Sequence, residues 1–184
     1  MASLTRDDVH QIAIDKYGFV PNQIKVLSEH SPAAANAYMK GMDATETSTL
    51  GADEREVVIL AVSRYNDCHY CTRTHAFLGL SAGVDQATIT AIHQGQLPED
   101  DRFRALVHAT RLLMDKEGWL DDGDLVRLRE KGIERSELYE INAIIGMKIF
   151  SNYVNHIAQT EVDNVVTDNP DIQDMWPVLG TMDW

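Results

Sequence analysis

The sequence predicts an all-α protein, on three observations. Apolar residues recur at helical spacing along nearly the whole chain, and no segment shows the strict alternation typical of a half-buried strand. Glycine and proline stand where helices would end or begin, as at Gly83, Gly132 and Pro32. The 184 residues suffice to bury a sizeable core, and 44% apolar with 24% charged residues is an ordinary globular balance. We therefore expect a single helical domain over residues 1–184.

The individual helices are predicted from their capping residues and breakers. Thr5, followed by two aspartates, predicts an N-cap, because a side-chain oxygen and nearby anions stabilise a helix start. Gly18 and Pro21 end this helix, and the Ser-Pro pair at 31–32 opens another. Asp85 predicts a further cap. Asn66-Asp67 is the expected turn and cap before the helix 68–82, and Pro98 is expected to open the helix 98–116. The expected helices are 5–17, a short one after Pro21, 32–42, 52–65, 68–82, 85–95, 98–116, 121–131 and 136–161.

The segment 162–184 has a less regular pattern than the rest of the chain. It carries Trp176 and Trp184, large side chains that are costly to leave in water. We expect this tail to pack on the body of the protein or on a neighbouring subunit.

The charge and hydropathy of the chain exclude several classes of function. A formal net charge of -13 and a pI near 4.8 would repel nucleic acid and anionic membranes. No stretch approaches the roughly 18 apolar residues of a membrane span. The polar start, Met1 to Arg6, shows no signal peptide. We expect a cytoplasmic protein that binds neither nucleic acid nor membrane.

The only two cysteines, Cys68 and Cys71, are three residues apart. In a reducing compartment a disulfide is usually catalytic or redox-sensing. A bridge between these two positions closes a very short loop, which gives it little value as a staple. The pair therefore indicates redox chemistry rather than structural support.

A histidine completes the pattern C-x-x-C-x-x-x-H over residues 68–75. On a helix Cys68, Cys71 and His75 fall within roughly 60° of arc, so they share one face. The thiolate is the reactive form of cysteine, and a neighbouring histidine takes the proton or stabilises the charge. A second cysteine nearby converts a sulfenic acid into a disulfide.

Glu56 is the expected partner of His75. If residues 65–67 form the tip of a helical hairpin, Glu56 lies as far before the tip as His75 lies after it. A carboxylate there would orient the imidazole or relay a proton. Asp53 and Glu54 compete for this role but lie further from the level of His75.

Other interpretations of these residues remain open at this point. The cysteines could be buried small apolar residues. They could also bind zinc with His75 and either Glu56 or His69, although a second pair of thiols is lacking. A redox switch or thiol–disulfide exchange protein would use the same two thiols without turning over peroxide.

The blocks 50–58 and 66–75 resemble the core of the AhpD-like alkylhydroperoxidases in the carboxymuconolactone decarboxylase family, nearest to its peroxidase-related branch. That motif places a glutamate twelve residues before C-x-x-C-x-x-x-H, as Glu56 stands here. Residues 119–138 and 151–163 extend the resemblance. Tyr70 departs from it, because some members have histidine at this position, which puts a second proton relay in doubt.

The resemblance implies a helical bundle built on the motif hairpin (core 50–83), a homo-oligomer of three or six chains, and reduction of hydroperoxides. It implies that Cys71 is the peroxidatic cysteine and Cys68 the resolving one, with His75 and Glu56 as proton relay. Helix position alone leaves that order open, since Cys68 is nearer the helix start. A dithiol protein would restore the thiols, and no cofactor or metal is implied. The decarboxylase branch lacks the cysteine pair.

Overall fold

The structure, a computed structural model, describes the backbone of residues 4–179 and the side chains of residues 4–175. All regular secondary structure in these residues is helical, which confirms the all-α prediction. The helices are α1 (Arg6–Tyr17), α2 (Asn22–His30), α3 (Pro32–Thr45), α4 (Ala52–Tyr65), α5 (His69–Ser81), α6 (Gln86–His93), α7 (Asp101–Asp115), α8 (Asp122–Glu130), α9 (Arg135–Ala158), α10 (Asn164–Thr167) and α11 (Pro170–Leu179).

Most predicted caps are present. The Thr5 hydroxyl accepts the Asp8 N–H at 3.2 Å, and the Asp8 carboxylate accepts the Thr5 N–H at 2.9 Å. Ser31 and Asp85 cap α3 and α6 in the same way, through the third residue of each helix. The strongest local signals in the sequence therefore marked real helix starts.

The ends of α3, α6 and α9 differ by two or three residues from the predicted ones, and three further predictions of local structure were wrong. Asp67 is not a cap: it has φ 53°, a left-handed conformation that aspartate tolerates, and Cys68 is the N-cap residue of α5. Helix α7 begins at Asp101 rather than at Pro98, because the Asp100 carboxylate accepts the Phe103 N–H at 2.8 Å and so caps the helix at that point. The tail is more regular than expected, since it forms α10 and α11.

Helix α4 lies at the centre of the fold. Its residues 57–63 are all buried, so it has no solvent-facing side along this stretch. It packs against α5, α7 and α9, while α1, α2 and α3 form a smaller apolar cluster beside them. Side chains of α4 and α5 therefore meet deep in the protein, with α9 crossing them.

The carboxyl-terminal segment packs on the body of the chain. Helix α11 contacts α5 and α6, and its Ile172 and Met175 are buried. The side chain of Trp176 and the whole of Trp184 lie outside the described residues. None of the described helices is both long and apolar enough to cross a membrane.

Candidate active site

The α4–α5 hairpin brings Glu56 and His75 together. Glu56 Oε2 lies 2.8 Å from His75 Nδ1, so the two side chains face each other across the helix pair as predicted. Glu54 is engaged elsewhere, with Arg102 Nε at 2.6 Å and the Gly51 N–H at 2.8 Å. Of the carboxylates considered from the sequence, Glu56 is therefore the one paired with the histidine.

The two thiols are reduced and buried at the start of α5. Cys68 is 1% exposed at the N-cap, and Cys71 is 0% exposed in the first turn. The Asn155 side-chain amide donates to Cys71 Sγ at 3.2 Å, from the last turns of α9. The two thiols thus lie against α9, the long helix that packs on both helices of the hairpin.

The surroundings shift the pKa values of the two thiols in opposite directions. Burial by itself raises the pKa of Cys71, but the Cys68 thiol, the Lys148 ammonium, the nearby His75 ring and the Asn155 amide hold it well below its usual range. The hydrogen bond to Cys71, followed by burial, raises the pKa of Cys68. These electrostatics favour a Cys71 thiolate that accepts a hydrogen bond from a neutral Cys68.

Lys148 is the site residue that the sequence analysis missed. Its ammonium Nζ lies 2.9 Å from His75 Nε2 and 3.8 Å from Cys71 Sγ, and the residue is 0% exposed. Burial lowers the pKa of Lys148, but the thiolate of Cys71 and other nearby anionic groups outweigh it and raise the pKa overall. Because an ammonium only donates, His75 Nε2 accepts from Lys148 and Nδ1–H donates to Glu56.

A signal for Lys148 was present in the pattern of α9. The helix buries a stripe that begins as Ile141, Ile144 and Ile145 and continues as Lys148, Ser151 and Asn155 at the same spacing. A lysine in register with buried isoleucines has to find an anionic or polar partner. That register, taken together with the cysteine motif, would have singled it out.

Tyr70, the position at which some relatives have histidine, connects three segments through hydrogen bonds. Its hydroxyl donates to Asp163 Oδ2 at 2.7 Å, and Asp163 Oδ1 accepts the Asn22 N–H at 2.8 Å. Burial and then the charge of Asp163 raise the pKa of Tyr70, so it remains a neutral donor. The residue that departs from the family pattern thus fastens α5 to the start of α2 and to the segment after α9.

A cavity of about 420 Å³ lies beside the Glu56–His75 pair. Most of its wall is apolar or aromatic, contributed by Tyr17, Phe19, Pro21, Ile24, Tyr38, Met42, Tyr70, Phe77, Leu78, Val165 and Val166, with Lys16, Gln23, Glu46, Glu56, Thr74, His75 and Asp163 as the polar lining. The cavity therefore offers a largely apolar space whose polar lining includes Glu56 and His75.

Gln23 connects this cavity to Cys71. Its Oε1 accepts from Asn155 Nδ2 at 3.1 Å, and the same amide group contacts the Cys71 sulfur. Gln23 is 4% exposed and lines the cavity. Its Nε2 and Asn155 Oδ1 are buried and have no hydrogen-bond partner among the described residues. Two polar atoms are thus available between the cavity and the thiolate.

No group of three histidine, cysteine or acidic side chains within the described residues is arranged to hold a metal ion. A metal ion bound to Cys71 would lie next to the Lys148 ammonium, and the two positive charges would repel each other. The side chains around the cysteines therefore fit a thiolate paired with a protein cation.

The fold is the all-helical fold of the AhpD-like proteins. A peroxidase-related protein of Ralstonia eutropha JMP134, described as an alkylhydroperoxidase AhpD core, superposes with a TM-score of 0.75 at 22% identity over 90% of this chain and 96% of its own. A peroxidase-related protein of Silicibacter sp. TM1040 gives 0.73 at 19% identity, with 90% of each chain covered. The debrominase Bmp8, as a cysteine-to-alanine variant in complex with 2,3,4-tribromopyrrole, gives 0.70 at 17% identity, covering 90% and 88%.

The model of the carboxymuconolactone decarboxylase family matches residues 31–112, which include Glu56, Cys68, Cys71 and His75. This match and the structural neighbours support the resemblance to this family that the motif predicted. No curated protein gives a significant match to the sequence.

Proposed function

We propose that this protein is a thiol-dependent peroxidase that reduces organic hydroperoxides through a Cys68/Cys71 dithiol–disulfide cycle. The observation that carries the proposal is the buried Cys71 sulfur, which lies 3.8 Å from the Lys148 ammonium and 3.2 Å from the Asn155 amide and whose pKa its surroundings hold well below the usual range. These contacts favour a stable thiolate with a second thiol beside it, which is what a peroxidatic cycle needs. The peroxidase-related names of two structural neighbours agree with it.

The cycle has two chemical steps. The Cys71 thiolate attacks the terminal oxygen of the hydroperoxide: an S–O bond forms, the O–O bond breaks, and the departing alkoxide takes a proton to leave as an alcohol. The sulfur is oxidised by two electrons and the peroxide is reduced by two. Cys68 then attacks the sulfenic acid, an S–S bond forms, and water leaves. A dithiol protein reductant restores both thiols by exchange.

The cavity supports a hydroperoxide with an apolar body. Such a group would lie against the aromatic and aliphatic wall, while Gln23 Nε2 donates to a peroxide oxygen at the inner end. Opening of the contact between Gln23 and Asn155 would then bring that oxygen to the Cys71 sulfur. Small, fully hydrated hydrogen peroxide would gain little from this wall, so an organic hydroperoxide should react faster.

The test is rapid mixing of the fully reduced protein with an organic hydroperoxide, following free thiols and peroxide together. We expect both thiols of each chain to be lost for each peroxide consumed, far faster than for free cysteine. Cys71→Ser should abolish peroxide consumption, whereas Cys68→Ser should consume one equivalent and stop at a sulfenic acid. Oxidation of the wild type no faster than free cysteine would instead favour a redox switch or thiol–disulfide exchange protein.

A second candidate is thiol-dependent removal of bromine from a small aromatic ring. The aromatic side chains in the cavity wall favour it, and the structural neighbour Bmp8 is a debrominase. Two thiols and an aryl bromide would give a disulfide, the debrominated ring and hydrogen bromide. Release of bromide from 2,3,4-tribromopyrrole with loss of both thiols, but without comparable hydroperoxide turnover, would favour this function.

A further inference from the structure

We propose that Lys148 is a catalytic residue: it is the counter-ion of the Cys71 thiolate and the acid that protonates the departing alkoxide, and the His75–Glu56 pair resupplies its proton. The proposal of an acid role rests on the peroxidase function proposed above. The counter-ion role does not, because it concerns the resting thiolate.

The contacts of His75 leave neither ring nitrogen free to form a hydrogen bond with the Cys71 thiol. Both ring nitrogens are engaged, Nδ1 with Glu56 at 2.8 Å and Nε2 with Lys148 at 2.9 Å. Lys148 Nζ lies 3.8 Å from Cys71 Sγ and can donate to both partners, because an ammonium has three protons. The order of the groups is therefore Cys71, Lys148, His75, Glu56, with the lysine between the thiol and the relay.

The burial of Lys148 explains why it must act as a charge. A buried ammonium is costly unless it is paired, and the lysine is wholly enclosed. The titratable groups around it are Tyr38 from α3, Glu56 from α4, Cys68 at the N-cap of α5, and Cys71 and His75 within α5. The thiolate is the anion in direct contact, while Glu56 acts through the imidazole.

The same position suits Lys148 for proton delivery. When the Cys71 sulfur attacks the terminal oxygen, the departing oxygen becomes an alkoxide close to the ammonium. One Nζ proton passes to it and the alcohol leaves. Reprotonation of the neutral amine uses the other tautomer of His75: with the ring proton on Nε2, that proton passes to the amine while Nδ1 takes a proton from protonated Glu56, which lines the cavity, and the resting tautomer is restored. All protons are thus supplied from the cavity side.

The experiment uses the full chain with Cys68→Ser, which leaves Cys71 as the only thiol and keeps a hydroxyl donor beside it. Ultraviolet absorbance of the thiolate is titrated in this protein and after adding Lys148→Met, which preserves length and apolar contacts. We expect the midpoint for Cys71 to rise by about one to three pH units. Lys40→Met, the same change at an exposed lysine, should leave it unchanged.

Single-turnover oxidation by an organic hydroperoxide then separates the two roles. At neutral pH the Lys148→Met change should slow oxidation by about 100-fold or more. Raising the pH restores the thiolate but not the acid, so the plateau rate should stay below that of the parent. Full recovery at high pH would overturn the acid role.

An unchanged titration midpoint in a variant with native helical circular dichroism would overturn the counter-ion role. Lys148→Gln, which can still donate to His75, is tested in parallel, so that a folding failure of the Met variant does not decide the result. If no variant and no parent protein turns over peroxide, the proposed function fails while the titration still measures the effect of Lys148 on Cys71.

Discussion

Cys71 owes its acidity to neighbours from two directions. Its place in the first turn of α5 exposes it to the helix dipole, but Cys68 is nearer the helix end and yet has the higher pKa. The difference comes from Lys148 and Asn155, which approach Cys71 from α9, and from the direction of the hydrogen bond between the thiols. A single helix start therefore supports one thiolate and one thiol.

The lowered pKa of Cys71 predicts an unusual pH profile for the first oxidation step. A group whose pKa is lowered stays ionised as the pH falls, until the pH passes that lower value. We therefore expect the rate with an organic hydroperoxide to be nearly constant from about pH 8 to about pH 6. Free cysteine in the same buffers should lose roughly two orders of magnitude over this range. A protein that slowed in parallel with free cysteine would show that Cys71 is an ordinary thiol.

Glu56 offers a test of the proton relay. Glu56→Gln keeps an acceptor for His75 Nδ1–H but removes the negative charge, so the structure should persist while proton return weakens. We expect steady-state peroxide turnover to fall by about tenfold to 100-fold. The control is Glu54→Gln, in the first turn of α4, which removes an ion pair with Arg102 instead. It should lower the free energy of unfolding but leave peroxide turnover unchanged. Equal losses of turnover in both variants would count against the relay.

At the scale of elements, the α4–α5 hairpin was the most predictable part of the molecule. The bounds of α4 and the pairing of Glu56 with His75 follow from local periodicity and from symmetry about the turn. Lys148, the cavity and α11 were not predicted, because they depend on how distant segments pack. The identity of the N-cap of α5 was missed because Asp67 has the residue type of a cap but the backbone of a turn.

The turn between α4 and α5 can be tested through Asp67. Its φ of 53° suits aspartate, asparagine or glycine and is strained for a β-branched residue. Asp67→Val should destabilise the protein by about 1–3 kcal/mol in denaturant unfolding, whereas Asp67→Asn should be close to neutral. The Val variant should also disturb Cys68, the next residue, and slow disulfide formation. Equal stability of the two variants would show that the turn relaxes without cost.

At the scale of the whole molecule, α9 presents one face to Cys71 and another to solvent. The outer face carries a stripe of exposed apolar side chains, Tyr139, Phe150, Tyr153 and Ile157, with Ile157 85% exposed. These positions fall on one side of the helix, with the small residues Ala143 and Gly146 between them. A stripe of this kind marks an interaction surface.

We expect this stripe to form the interface of a homo-oligomer. Replacing both Tyr153 and Ile157 by glutamate should convert a trimer or hexamer into a smaller species in light scattering after size exclusion, because buried like charges oppose association. Val126→Glu, an equally exposed apolar position on α8, should leave the mass unchanged. A wild-type chain that elutes as a monomer would contradict the expectation directly.

The hydrogen bonds that join Tyr70, Asp163 and Asn22 have a consequence for how relatives of this chain can differ in what they bind. Glu56, the two cysteines and His75 all lie within residues 31–112, whereas Lys148 and Asn155 come from α9 and much of the cavity wall comes from residues 16–24 and 163–166. Those outer segments join the motif helix through one tyrosine and one carboxylate. Much of the cavity wall therefore comes from stretches of sequence outside the one that carries the cysteine motif, and exchange of those stretches between relatives would change what is bound while the motif itself stays intact.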